Sequence, residues 1–188
     1  GLPEKPSRPS NVAAVMELAG GDLDAGFAEA DVVVERTYHT PTVHQGYIEP
    51  HACVARWGQD DQSVIWCSSQ GAFDIRSMSA KVLGVSVGSL KVIPAEIGGG
   101  FGGKTTIYLE PLAVMLSKKA GRPVKLAMSR EEVFRASGPA SACKAKVKIG
   151  AKRDGTLTAM YAWLGYEAGA YKGSPMGPGV MCAFAPYK

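Results

Sequence analysis

The sequence predicts an α+β fold: a mixed sheet with hairpins and two or three helices, built around one strand–glycine-loop–helix unit. Three observations carry this. Gly98-Gly99-Gly100-Phe101-Gly102-Gly103-Lys104 sets five glycines around one aromatic residue. An apolar, β-branched run (90–97) precedes it and an amphipathic stretch (106–120) follows it. Hairpin patterns on both sides break the strand–helix alternation that a doubly wound parallel sheet requires.

Along the chain, residues 1–20 carry Pro3, Pro6 and Pro9 and read as a linker or arm. Residues 21–188 read as a single domain. Residues 22–30 hold a helical turn, and the β-branched stretch 31–38 is a strand. Residues 47–57 and 63–68 form a hairpin across the polar turn 58–62. Ile75, Met78, Ser79 and Val82 recur at helical spacing, and Gly84 stands where a C-terminal cap belongs. In the helix expected over 106–120, Leu109, Leu112, Ala113, Leu116 and Ala120 share a face; Gly121 ends it and Pro123 prevents its resumption. Residues 124–128 form a short strand. Ser129 caps a helix start, with Glu132 at the reciprocal position. Strand 144–149 alternates lysine with small or apolar residues, 153–156 turns, and 157–164 runs back. Residues 173–179 are loop.

Composition narrows the function classes. The 188 residues suffice for a domain with a proper core, and 46% apolar with 20% charged residues is an ordinary globular balance. The net charge of +4 comes from scattered lysines, with no basic stripe interleaved with aromatics, so no nucleic-acid partner is expected. No apolar run reaches membrane-spanning length, and no secretory leader is expected. The first residue is not Met, which suggests processing or a piece of a longer chain. Cys53, Cys67, Cys143 and Cys182 form no C-x-x-C pair and no zinc spacing. Cys53 and Cys67 lie in strand-like runs and read as buried thiols. A cytoplasmic location is expected, with the periplasm as the alternative.

The loop satisfies two nucleotide patterns. Gly98-x-x-x-x-Gly103-Lys104-Thr105 matches a phosphate-binding loop, and Gly98-x-Gly100-x-x-Gly103 matches the dinucleotide fingerprint. The first needs a second strand ending in Asp for Mg²⁺; run 124–128 leads instead into Ser129-Arg130-Glu131. The second needs an acid about twenty residues on, where this chain has Pro123. A phosphate-loop-like nucleotide module and a non-catalytic structural domain stand as the alternatives. His44, Glu49 and His51 read as polar residues rather than metal ligands, Glu49 and His51 sharing one strand face.

Several further stretches occur in order: Asp24-Ala25-Gly26-Phe27-Ala28-Glu29-Ala30-Asp31-Val32-Val33-Val34-Glu35, Tyr47-Ile48-Glu49-Pro50-His51-Ala52, Trp66-Cys67-Ser68-Ser69-Gln70-Gly71, Gly121-Arg122-Pro123-Val124-Lys125, Ser129-Arg130-Glu131-Glu132 and Glu167-Ala168-Gly169-Ala170-Tyr171. Together with the glycine loop they resemble the molybdenum-pterin-binding large subunit of the xanthine dehydrogenase / aldehyde oxidase family, in its first molybdenum-binding domain. The resemblance runs from about residue 22 to the end of the chain.

That resemblance implies a fragment of a molybdenum hydroxylase, an oxidoreductase that oxidises an aldehyde, heteroaromatic or aromatic substrate with water as the oxygen source. It implies that molybdopterin lies against Gly99, Gly100, Phe101 and Gly102, whose amides serve the molybdenum ligands while Phe101 walls the site. Gln70 corresponds to a glutamine whose amide bonds a molybdenum oxygen. Thr105 takes the substrate-facing position where purine-hydroxylating relatives carry Glu, which puts purine hydroxylation in doubt. The pterin's sulfurs, and no direct protein ligand, would hold the metal. The family's catalytic base and second substrate wall fall beyond this stretch, so no catalytic residue is expected in it and the isolated fragment is expected to be inactive. Expected partners are the remainder of the large subunit, iron–sulfur and flavin (FAD) domains or subunits, and a small-molecule substrate.

Overall fold

Backbone pairing in the computed structural model, which describes residues 11–58 and 62–169 with Gly179 and Cys182, places every regular element in an α+β arrangement with two sheets. In chain order the elements are α1 (Leu23–Ala28), β1 (Val32–Thr40), β2 (Ala52–Arg56), β3 (Ser63–Cys67), α2 (Ala72–Leu83), a 3₁₀ turn (Val87–Ser89), β4 (Leu90–Pro94), α3 (Glu110–Ala120), β5 (Val124–Ala127), α4 (Arg130–Ala136), β6 (Cys143–Ala151) and β7 (Leu157–Tyr166). The chain divides into two compact units, Val43–Ala140 and the flanking segments Gly1–Thr42 with Ser141–Lys188. Positions 59–61 of the expected hairpin turn, residues 1–10 of the expected arm, residues 170 and 171, and 173–178 of the expected loop lie outside the described residues.

The flanking unit holds an antiparallel sheet ordered β1-β6-β7. β1 pairs with β6 from Val32↔Ala151 to Thr40↔Cys143. Strand alternation puts Lys144, Lys146 and Lys148 on one face and Ala145, Val147 and Ile149 on the other. Asp22 caps α1 by accepting from the Ala25 amide at 2.9 Å. Phe27 of this helix lies 4.4 Å, ring centroid to Nζ, from Lys148. The strand expected from the valines of β1 is present, but Val32, Val33 and Val34 are all exposed.

The unit Val43–Ala140 carries a mixed four-stranded sheet ordered β4-β3-β2-β5, in which β3 and β4 run parallel and β2 is antiparallel to both its neighbours. The expected hairpin is the β2–β3 pair, with Cys53 directly opposite Cys67, but its first strand is shorter than the expected 47–57: Glu49 and His51 precede β2 and are not strand residues. Its core gathers Cys53, Ala55, Ile65, Cys67, Ile75, Ala113 and Val114. α2 ends at Gly84 in the left-handed conformation, as expected, and buries Ile75 and Ser79, whereas Val82 is exposed.

α3 departs from expectation in two ways. It starts at Glu110, not near 106, because Pro111 is tolerated only in the first turn. Its buried face is Glu110, Ala113, Val114 and Ser117, and Leu112 and Leu116 of the expected face are exposed. The small residues let the helix lie close on β2, where the Ser117 hydroxyl accepts from the Trp57 amide at 2.9 Å and donates to the Arg122 carbonyl at 2.8 Å. Gly121 ends α3 with φ 64°, and the Ser129–Glu132 capping box opens α4.

Candidate functional site

The glycine loop follows β4, and the chain's own neighbours dictate most of its glycines. A Cβ on Gly98 would stand 2.6 Å from the Glu49 Cβ, one on Gly103 2.7 Å from the Tyr47 Cε1, and one on Gly100 2.4 Å from the Gln70 Oε1. Gly99 and Gly102 adopt φ of 93° and 88°, the left-handed region that disfavours a side chain. At position 100 the missing side chain leaves room for the Gln70 carboxamide. Phe101 is the one non-glycine residue with positive φ among the described residues, and its side chain is 74% exposed.

Gln70, just before α2, is fastened to the loop at both its backbone and its side chain. Its amide donates to the Lys104 carbonyl at 2.9 Å. Its Oε1 accepts from the Gly102 amide at 3.0 Å and the Lys104 amide at 3.1 Å. With the carboxamide oxygen turned to the loop, the Nε2 makes no hydrogen bond to a described residue. The Gly103 amide closes a turn onto the Gly100 carbonyl at 2.7 Å. The amides of Gly99, Gly100 and Phe101 have no hydrogen-bond acceptor among the described residues. The Gly102 amide, by contrast, donates to the Gln70 Oε1. The Thr105 hydroxyl, exposed, donates to the Gly102 carbonyl at 3.1 Å.

Glu49 and Lys104, to which sequence reasoning gave no place in the cofactor site, hold the other end. The Glu49 Oε2 accepts from the Gly98 amide at 2.8 Å and from the Lys104 Nζ at 2.6 Å, and the Glu49 amide donates to the Gly98 carbonyl at 3.2 Å. Burial pushes the Glu49 carboxyl up, but the bonds from Lys104 and Gly98 outweigh it and hold the group below its ordinary value, hence charged at neutral pH. Lys104 is 1% exposed, with its Nζ 5.0 Å from the Tyr47 ring centroid. A phosphate-binding loop needs a lysine free to reach its ligand. This one is enclosed and paired, which argues against the nucleotide reading.

Beneath the loop lies a polar network. The His44 Nδ1 accepts from the Gly46 amide at 3.0 Å, which assigns the ring proton to Nε2 and makes it a donor to the Ser137 Oγ at 2.9 Å. The Tyr47 hydroxyl lies 2.7 Å from the His51 Nε2 and donates to Ser137 at 3.2 Å. Burial, then the positive charge of Lys104 and the neighbouring His44, push His51 down to about 4, so its ring is neutral. Among the described residues no group of three or more His, Cys, Asp or Glu could hold a metal ion. No helix among them is long and apolar enough to cross a membrane.

These donors fit an anionic, pterin-held molybdenum group. Three backbone amides without acceptors sit in one loop, and the neutral carboxamide fixed to that loop has its nitrogen unengaged. None is a metal ligand, which suits a metal held by the pterin.

Comparison with known proteins identifies the family. Residues 4–187 match the family model described as molybdopterin cofactor-binding domain. The chain is 41% identical over 155 residues to the probable hypoxanthine oxidase XdhD of Escherichia coli, covering 82% of this chain and 16% of that protein. It is 33% identical over 172 residues to the nicotinate dehydrogenase large molybdopterin subunit of Eubacterium barkeri, covering 92% of this chain and 40% of that subunit. Among solved structures, the aldehyde oxidoreductase of Desulfovibrio gigas superposes with a TM-score of 0.63 at 31% identity, covering 78% of this chain and 16% of that one. The chain thus spans between 16% and 40% of the length of these relatives. The family model and these relatives show that the chain belongs to the molybdopterin cofactor-binding domains of the xanthine dehydrogenase and aldehyde oxidoreductase family.

Proposed function

We propose that this chain forms part of the cofactor pocket of a molybdenum hydroxylase that oxidises an aldehyde or a heteroaromatic or aromatic substrate with water as the oxygen source. The observation that carries this reading is the attachment of the Gln70 carboxamide to the glycine loop through two amides, which makes its Nε2 and the amides of Gly99, Gly100 and Phe101 one donor set. When bound, the molybdenum centre supplies the redox and oxygen-transfer chemistry. The chain's residues bind and orient. Amides fixed in a folded loop need no reorganisation when charge develops opposite them. The Gln70 amide donates without titrating, so its contribution holds across the working pH range. Phe101 walls the pocket, and Thr105, a neutral hydroxyl, faces the substrate. The printed names of the relatives, a probable hypoxanthine oxidase, a nicotinate dehydrogenase subunit and an aldehyde oxidoreductase, support keeping both heteroaromatic and aldehyde substrates. Iron–sulfur and flavin groups on other domains or subunits would carry the electrons away.

Gln70→Ala in the complete, molybdenum-loaded protein tests this. Losing one positioned donor costs about 3 kcal/mol of transition-state stabilisation, so turnover per bound molybdenum should fall roughly a hundredfold while the fold and the metal content persist. Unchanged turnover per molybdenum, or a complete wild-type protein that purifies without molybdenum, would overturn the reading.

A further inference from the structure

The loop is held at two ends by two different side chains, and one residue joins them. Glu49 binds the loop's first glycine through backbone and carboxylate. Gln70 binds its far end through backbone and carboxamide. Lys104 belongs to both: its backbone amide and carbonyl pair with Gln70, and its Nζ pairs with Glu49. Its near-complete burial leaves that ammonium no water to substitute for the carboxylate. Nothing else among the described hydrogen bonds ties Lys104's side chain down.

We infer that the Lys104–Glu49 ion pair is a positioning device that fixes the Gln70 carboxamide, so that its nitrogen rather than its oxygen is presented away from the loop. This rests on the site assignment proposed above, but the physical coupling does not need the cofactor. An unpaired Lys104 would pull toward water, shift its backbone, and withdraw one of the two amides that hold the Gln70 oxygen. A carboxamide freed from that grip can turn over and offer an acceptor where a donor is required. Lys104 is then a positioning residue that acts through Gln70, in the sequence position where a nucleotide-binding loop would use its lysine on phosphate.

Hydrogen exchange in the cofactor-free protein tests the coupling by itself. Glu49→Gln keeps an oxygen for Gly98 and the size of the side chain while removing the charge. It should speed exchange of the Gly102 and Lys104 amides at least tenfold, with the β2 and β3 amides unchanged. Lys104→Met should do the same, and Glu49→Gln stands as the readout if that variant does not fold. Faster exchange at Gly98 alone, or a uniform rise across the unit, would show a local or merely structural role and overturn the inference. In the loaded protein the electron-paramagnetic signal of the reduced molybdenum should shift in Lys104→Met as it does in Gln70→Ala. The double variant should be no worse than Gln70→Ala within twofold; losses that multiply would overturn the coupling. Failure of the wild type to hold molybdenum would sink the proposed function and leave the exchange result to decide this inference.

Discussion

Gly100→Ala is the sharpest probe of the loop. The backbone at Gly100 lies outside the positive-φ region, so an L residue is admissible there on conformational grounds. Space is the obstacle: the new methyl would stand 2.4 Å from the Gln70 Oε1, 2.7 Å from its Cδ and 3.1 Å from its Cγ. The long Gln70 side chain can yield, but only by leaving the Gly102 and Lys104 amides that it accepts from at 3.0 and 3.1 Å. Each such bond contributes about 0.5–1.5 kcal/mol net, and Gln70 is exposed enough for water to replace part of it, giving a loss of about 1–2 kcal/mol. For a chain of this size that lowers the melting temperature by about 2–8 °C in a calorimetric scan. In a Gln70→Ala background the methyl meets no carboxamide, so Gly100→Ala should then cost less than about 0.5 kcal/mol. Gly102→Ala is the control: nothing lies within 4 Å of its added Cβ, but its φ of 88° costs about 1–2 kcal/mol in either background. Equal destabilisation by Gly100→Ala with and without Gln70 would refute the reasoning.

Two further outcomes follow from the same geometry. Titration calorimetry with Mg²⁺–ATP should show no binding, because Lys104 is enclosed and paired with Glu49; micromolar, magnesium-dependent binding that Lys104→Ala abolishes would overturn this. Acid should destabilise the unit through His51, which faces Tyr47, Tyr108, His44, Lys104 and Glu49. Its value of about 4 in the fold lies below the ordinary 6.5, so the unfolded chain takes up the proton first. Its contribution is complete above about pH 6.5 and is lost as the pH falls toward 4, on the order of 3 kcal/mol in all. Urea unfolding across that range should show the decline, and His51→Gln should flatten it; a decline of the same size in His51→Gln would assign the effect elsewhere.

Local chemistry was readable in the sequence wherever one residue type suffices. Gly84 and Gly121 mark helix ends because only glycine enters the left-handed region without strain, and Ser129 with Glu132 spells a cap in four letters. The β2–β3 hairpin followed from two apolar runs around a polar turn. α3 misled because leucine spacing was read without the proline: Pro111 fixes the start, and the sheet receives the small residues instead of Leu112 and Leu116. The nearness of Gln70 to the loop was anticipated, but the group it contacts was not, since a carboxamide oxygen accepting two loop amides is a tertiary fact. The Glu49–Lys104 pair joins residues 55 apart, and no periodicity links them. Lys104 also carried a misleading motif, because the same letters that cradle phosphate elsewhere here end in a closed ion pair.

The opposed thiols of the hairpin have a practical consequence. Burial and the charge of Glu110 push Cys53 up to about 12 and Cys67 up to about 11. At neutral pH roughly one molecule in ten thousand or fewer carries either thiolate, and only the thiolate attacks an alkylating reagent. Both cysteines belong to Val43–Ala140, whereas half-buried Cys143 and exposed Cys182 belong to the flanking unit. Pulsed alkylation read by mass therefore separates the two units without any engineered label. Adducts on Cys143 and Cys182 report on one, and the arrival of mass on Cys53 and Cys67 times the opening of the other, the unit that carries the glycine loop.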